Sequence, residues 1–178
     1  MHYEISQIKE HLSDSGRKLA DLTASMVYDD PSLLLPLLKI SYSDEYPWCQ
    51  RASRVISLCG SNAPELVQPY VSEIIRRLKN QQSESVRRNF LKLFCDTDYR
   101  LKTKDRSILL NLCFDYLAGS FSIGVKVYSM DVLYKLSLEL PEIQRELYEI
   151  IENGLPEASA GYKSHGMKVM KKIARNNR

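Results

Sequence analysis

Apolar side chains along this chain recur with two periods at once. Within short stretches they return every three or four residues, as one face of an α-helix requires. The stretches themselves also return: WCQRASRVI, VRRNFLKLF, VKVYSMDVL and YKSHGMKVM align without gaps, and their first residues, Trp48, Val86, Val125 and Tyr162, lie 38, 39 and 37 residues apart. The eighth position reads Val55, Leu93, Val132, Val169 and the ninth Ile56, Phe94, Leu133, Met170. Positions i, i+7 and i+8 share a helix face, so each stretch is predicted to be a helix with that face in a core. The fifth position is small in three of the four copies, Ala52, Ser129 and Gly166, with Phe90 the exception, which predicts a close helix crossing.

A second helix is predicted before each of these. Pro31, Pro64 and Pro141 each open an apolar-periodic run, where a first helical turn tolerates the missing N–H. Pro36 and Pro69 follow five residues later in two copies, at a position expected to kink both helices alike. The remaining first helix, Lys104 to Leu117, has no proline, and Thr103 is its expected N-cap. A weaker pair, about Tyr3–Leu12 and Gly16–Val27, reads as a terminal cap. Strands are not expected: β-branched residues are scattered, and no Asn-Gly or Asp-Gly turn joins alternating runs. The predicted fold is all-α, an α-α superhelix (a right-handed solenoid) of about five antiparallel helix pairs. It is read as a single domain over 1–178, with residues 1–29 as the cap pair and 30–178 as four repeats.

This period, the prolines of the first helices (Pro36, Pro69) and the Val86-Arg87 pair opening a second helix resemble HEAT-type repeats, an armadillo-like α-solenoid class. From about Asp30 onward the wording is also similar to a small uncharacterised bacterial family of HEAT-like proteins. The segments that carry this include Gln50-Arg51-Ala52, Pro64-Glu65-Leu66, Leu112-Cys113-Phe114-Asp115 and Ser159-Ala160-Gly161. The resemblance implies a fold and no chemistry. This chain departs from that family at His165, where arginine is usual, and at Trp48, where an aliphatic is usual.

Composition narrows the class. The 178 residues are 44% hydrophobic and 26% charged with only 7 glycines, a globular and helix-leaning balance. No stretch approaches the roughly 20 apolar residues of a membrane span. The N-terminal MHYEISQIKEHLSD carries charges where a signal peptide is apolar, so a cytoplasmic protein is expected. Cys49, Cys59, Cys95 and Cys113 form no CxxC and read as reduced thiols, with Cys59, Cys95 and Cys113 expected in the core. Net charge is +3, but Ala158 to the end holds six basic residues and no acid. That asymmetry complements a helix C-terminus and also suits an anionic partner.

No catalytic, metal or cofactor-binding constellation stands out. His2, His11 and His165 read as solvated, with no carboxylate in its own segment to orient His165. GxGxxG and GxxxxGK are absent. The acid pairs Asp29-Asp30, Asp44-Glu45 and Asp96/Asp98 fall at helix ends, Asp29-Asp30 reading as capping, as does Ser83 with Glu84. Trp48, the single tryptophan, is expected to pack between repeats, the other reading being a stacking platform for a base. Tyr42, Tyr46, Tyr70, Tyr116, Tyr134 and Tyr148 are expected to bury their rings with the hydroxyl near water.

The candidate binding residues come from the fourth and seventh columns. These hold Arg51, Asn89, Tyr128, His165 and Arg54, Lys92, Asp131, Lys168, with Lys135 and Lys172 one turn further on. In a superhelix they would line a basic concave surface, or else simply solvate the second helices. Three function classes fit. The leading one is a non-enzymatic interaction or scaffold module gripping a protein or acidic partner. The second is a nucleic-acid binder, similar in architecture to the helical-repeat alkylpurine DNA glycosylases, for which Asp131 and Tyr128 are the candidate acid and aromatic. The third is an accessory structural domain. No cofactor and no membrane partner is expected.

Overall fold

The computed structural model describes residues 5–176, whose regular elements are all helices, with no strand among them. Five antiparallel pairs follow one another, as the period predicts, and they gather into two compact units, Met1–Lys102 and Thr103–Arg178.

Unit one holds three pairs. The first is α1 (Ile5–Glu10) with α2 (Arg17–Asp29). The second is a 3₁₀ turn (Pro31–Leu33) running into α3 (Leu34–Ser41), paired with α4 (Trp48–Asn62). The third is α5 (Pro64–Val67), a 3₁₀ turn (Gln68–Tyr70) and α6 (Val71–Leu78), paired with α7 (Glu84–Asp96). Helix α4 is the hub, packed on α2, α3 and α7. Unit two holds α8 (Thr103–Ala118) with α9 (Ile123–Ser137), then a 3₁₀ turn (Pro141–Ile143) and α10 (Gln144–Gly154) with α11 (Ala160–Asn176). Here α9 is the hub, against α8, α10 and α11.

The apolar columns are the core. Val55, Leu93, Val132 and Val169 are all at most 2% exposed. Ile56, Phe94 and Leu133 are buried and Met170 half-buried. The fifth column is buried in every copy, whatever its size. Phe90 is 1% exposed beside the Tyr42 ring, with centroids 6.2 Å apart. At Gly166 a Cβ would stand 2.8 Å from Ile151 Cγ2, so α10 and α11 approach closely there.

The prolines act through 3₁₀ turns rather than through bent α-helices. Pro69 lies in the 3₁₀ turn that separates α5 from α6, while Pro36 follows the 3₁₀ turn that Pro31 opens. Without an N–H, a proline gives up one i→i−4 bond, and the tighter i→i+3 pattern fills the gap. Asp30 caps as expected, Oδ1 accepting from the Ser32 N–H at 3.0 Å, and the hydrogen bonds to Ser32 hold its carboxyl below the usual range. Ser83 Oγ accepts from the Val86 N–H at 3.4 Å. Thr103 is the first residue of α8 rather than its cap.

Candidate functional site: the polar columns

The fourth column, expected to face a partner, largely faces the preceding repeat. Arg51 Nη1 donates to the carbonyls of Leu12 and Ser13, at 2.8 and 2.7 Å. Asn89 is 7% exposed, and its Nδ2 donates to the Gln50 carbonyl at 3.2 Å and to Ser53 Oγ at 2.9 Å. His165 Nε2 stands 2.9 Å from Asp131 Oδ1. Each contact spans about one repeat. The physical reason is that helices stacked at a fixed period leave loop carbonyls and buried hydroxyls facing the next helix. Buried polar groups without partners are costly, so these side chains satisfy them.

Several expectations change accordingly. Asn89 is an internal latch, not an open contact. His165 is not simply solvated, because the preceding repeat supplies the carboxylate that its own segment lacks. His11 is half-buried, and His2 lies outside the described residues. Trp48 is half-buried rather than enclosed, with Lys9 Nζ at 5.8 Å and Arg51 Cζ at 5.6 Å from its ring centroid. Tyr46 is 77% exposed instead of buried, and the Tyr42 hydroxyl is buried away from water with no hydrogen-bond partner among the described residues.

The seventh column is mixed. In unit one, Arg54 Nη1 donates to the Ser15 carbonyl at 2.6 Å, and Lys92 forms an ion pair with Asp96 across one helical turn. In unit two, Lys168 is exposed and Asp131 is taken up by His165. One turn on, Lys135 is half-buried, and exposed Lys172 sits 5.1 Å over the Tyr134 ring, whose hydroxyl accepts from Asn176 Nδ2 at 3.2 Å. Tyr128 is half-buried. Tyr134 was absent from the fourth and seventh columns, yet it lies three residues past Asp131, one helical turn along, which is the signal that could have found it.

Helix α11 is the most one-sided element in charge. Lys163, Lys168, Lys171, Lys172 and Arg175 lie on it and no acid does. Lys163 reaches the Pro156 carbonyl at 3.1 Å, and the other four are exposed. Spacings of three, four and seven place Lys168, Lys171, Lys172 and Arg175 along one side.

The thiols are poorly placed for chemistry. Cys59 and Cys113 are buried as expected, but the third buried thiol is Cys49, and Cys95, expected in the core, is half-buried near the end of α7; burial pushes the Cys59 thiol up to about 12, and Cys113 is raised for the same reason. Among the described residues, no three His, Cys, Asp or Glu side chains gather as metal ligands. No described helix is long and apolar enough to cross a membrane.

Comparison with curated proteins and with solved structures returns no match. The family model of the HEAT repeat domain matches residues 8–173, which takes in all five helix pairs. With that span, and with the paired helices and buried columns in place, the chain belongs to the HEAT repeat family.

Proposed function

We propose that the chain is a non-enzymatic interaction module that docks an acidic protein partner on the basic side of α11. The observation that carries this reading is the five cations of α11 with no acid among them. Lys168 and Lys172, with Lys135 from the neighbouring α9, are the docking charges. Arg51, Arg54 and Asn89 are engaged with the preceding repeat and support the stack instead. HEAT repeats commonly serve as protein-interaction scaffolds, which favours a partner over a substrate. A cytoplasmic setting and kinship with the small bacterial HEAT-like family go with this reading.

Fluorescence anisotropy of a labelled Asp/Glu-rich peptide and of a duplex DNA, at low and moderate salt, tests it. The expected result is saturable peptide binding that weakens with salt and with Lys168→Ala, Lys172→Ala. Tighter DNA binding, with a log–log salt slope of about −0.9 for each neutralised phosphate, would move the assignment to nucleic acid. Binding of neither would remove the basic side as a docking site.

A further inference from the structure

Each second helix meets the one that follows it by a fixed set of columns, and contacts inside the two units identify them. In the sixth column, Ser53 Oγ accepts from Asn89 Nδ2 of α7 at 2.9 Å. Met130, also sixth, has its Cε 3.9 Å from where a Cβ on Gly166 of α11 would stand. In the seventh, Asp131 Oδ1 stands 2.9 Å from His165 Nε2. In the tenth, the Tyr134 ring lies 5.1 Å under Lys172 Nζ, and in the fourteenth, Ser61 Oγ donates to Asp96 Oδ2 at 3.3 Å. Columns six, seven, ten and fourteen are therefore the forward side of a second helix. The following helix meets that side with its own fourth, fifth and eleventh columns.

On α11 the forward columns hold Met167, Lys168, Lys171 and Arg175. No described helix follows α11, and the difference shows in burial. At the sixth column Ser53, Leu91 and Met130 are each 0% exposed, whereas Met167 is 56% exposed. Lys168, Lys171 and Arg175 are exposed and have no acid partner among the described residues. A polarisable thioether inside a rim of unpaired cations is an apolar anchor with a charged border, as at protein interfaces.

We propose that the forward side of α11 seats an acidic amphipathic helix of a protein partner, packed as the next second helix of the stack would be. This rests on the α11 docking reading and names the form of the partner. The contacts of the earlier copies set the pattern it must carry. A fourth-column residue meets the seventh column, so an acid there pairs with Lys168, which is the His165–Asp131 pair with its charges exchanged. An eleventh-column residue meets the tenth and fourteenth, so a second acid, seven residues on, lies between Lys171 and Arg175. The fifth-column residue, directly after the first acid, covers Met167 and is apolar. Acids at i and i+7 share one side of a helix, with the apolar residue at i+1 on its flank.

Charge selects this occupant over a second copy of the chain. Another α11 would set cations against cations. Helix α2 also exposes an apolar residue, Leu22, at 56%, but its Arg17, Lys18, Asp21 and Asp29 sum to zero. Lys172 is an eleventh-column residue that faces back onto Tyr134, so it attracts the partner without sitting in the contact.

Anisotropy titrations of the full chain with two labelled peptides of about 20 residues test this, both rich in alanine and glutamine so that they form helices. One carries glutamates at i and i+7 and leucine at i+1. The other has the same composition with its glutamates at i and i+5, on different sides of the helix. The patterned peptide is expected to bind at least about 10-fold tighter. Met167→Gln should weaken its binding about 3- to 10-fold, with the helical spectrum unchanged and the mismatched peptide unaffected. Equal binding of the two peptides, or wild-type binding by Met167→Gln, would overturn the proposal. The α11 docking reading then stands if Lys168→Ala, Lys172→Ala still weakens both peptides, and falls as well if neither peptide binds. Sedimentation velocity covers the remaining occupant: a dimer that Met167→Gln dissolves assigns this side to a second copy and overturns the acidic helix.

Discussion

Asn89 reaches back one repeat to Ser53, its Nδ2 donating to Ser53 Oγ at 2.9 Å with both residues buried. Ser53 Oγ in turn donates to the Gln50 carbonyl at 2.9 Å, and Asn89 bonds the same carbonyl. This closed set ties α7 to α4 by polar groups in the middle of an apolar seam. Asn89→Ala takes away the donor to Ser53 Oγ and the second donor to the Gln50 carbonyl, both away from water, and should cost about 1 to 3 kcal/mol in urea unfolding. Asn89→Leu should not restore the loss, since an apolar side chain cannot donate to Ser53 Oγ.

The eighth column predicts a different magnitude. Leu93 is 0% exposed, and Leu93→Ala removes buried methyl groups and leaves a cavity. A loss of about 2 to 5 kcal/mol is expected. Val132→Ala, at the equivalent position of unit two, should be destabilising in the same way, while a surface change such as Lys18→Ala should stay within about 0.5 kcal/mol.

Gly166→Ala sets two effects against each other. Alanine gains about 1 kcal/mol of helix propensity over glycine. Its Cβ would also stand 2.8 Å from Ile151 Cγ2, in a crossing where overpacking costs about 1 to 3 kcal/mol. A net loss is expected, and Ile151→Ala, which removes Cγ2, should make the double variant lose less than the sum of the two single losses. Calorimetric unfolding of the single and double variants checks both.

Thiol reactivity gives a pH-dependent check. The thiolate is the reacting form, and Cys59 is held protonated up to about 12 by burial. Half-buried Cys95 should therefore react with maleimide well before Cys59 or Cys113 in the folded chain. The linkage has a definite sign. A thiol raised above its ordinary value of 9.0 stays protonated in the folded state after the unfolded chain has lost its proton. Its contribution to stability is thus complete below pH 9.0 and is lost as pH rises through the folded value. Cys59→Ala should flatten that alkaline decline.

These predictions show how the chain's information divides. The helix pairs and core columns were legible, because burial selects apolar residues at fixed positions and Val55, Leu93, Val132 and Val169 mark the period plainly. The direction of the polar residues was not. Arg51 and Lys168 read alike in sequence, yet one is engaged with the Leu12 and Ser13 carbonyls and the other faces water. Long cationic side chains suit both settings, and only the neighbouring backbone decides. The His165–Asp131 pair was hidden for the same reason, its members lying 34 residues apart. The boundary at Lys102 gave no signal either, since the connector TDYRLK carries neither glycine nor proline.

The most direct test of the central claim is charge reversal at two places on the chain. Lys168→Glu, Lys172→Glu changes the α11 side, while Lys18→Glu, Lys79→Glu alters two other exposed lysines and gives the same net charge. Anisotropy of the labelled acidic peptide at moderate salt then separates a docking surface from general attraction, because exposed charges are screened over about 10 Å at 0.1 M. The α11 variant should lose binding by at least about 10-fold, and the control variant should stay within about 2-fold of the parent. Equal loss in the two variants, or retained binding in the α11 variant, would contradict docking on α11.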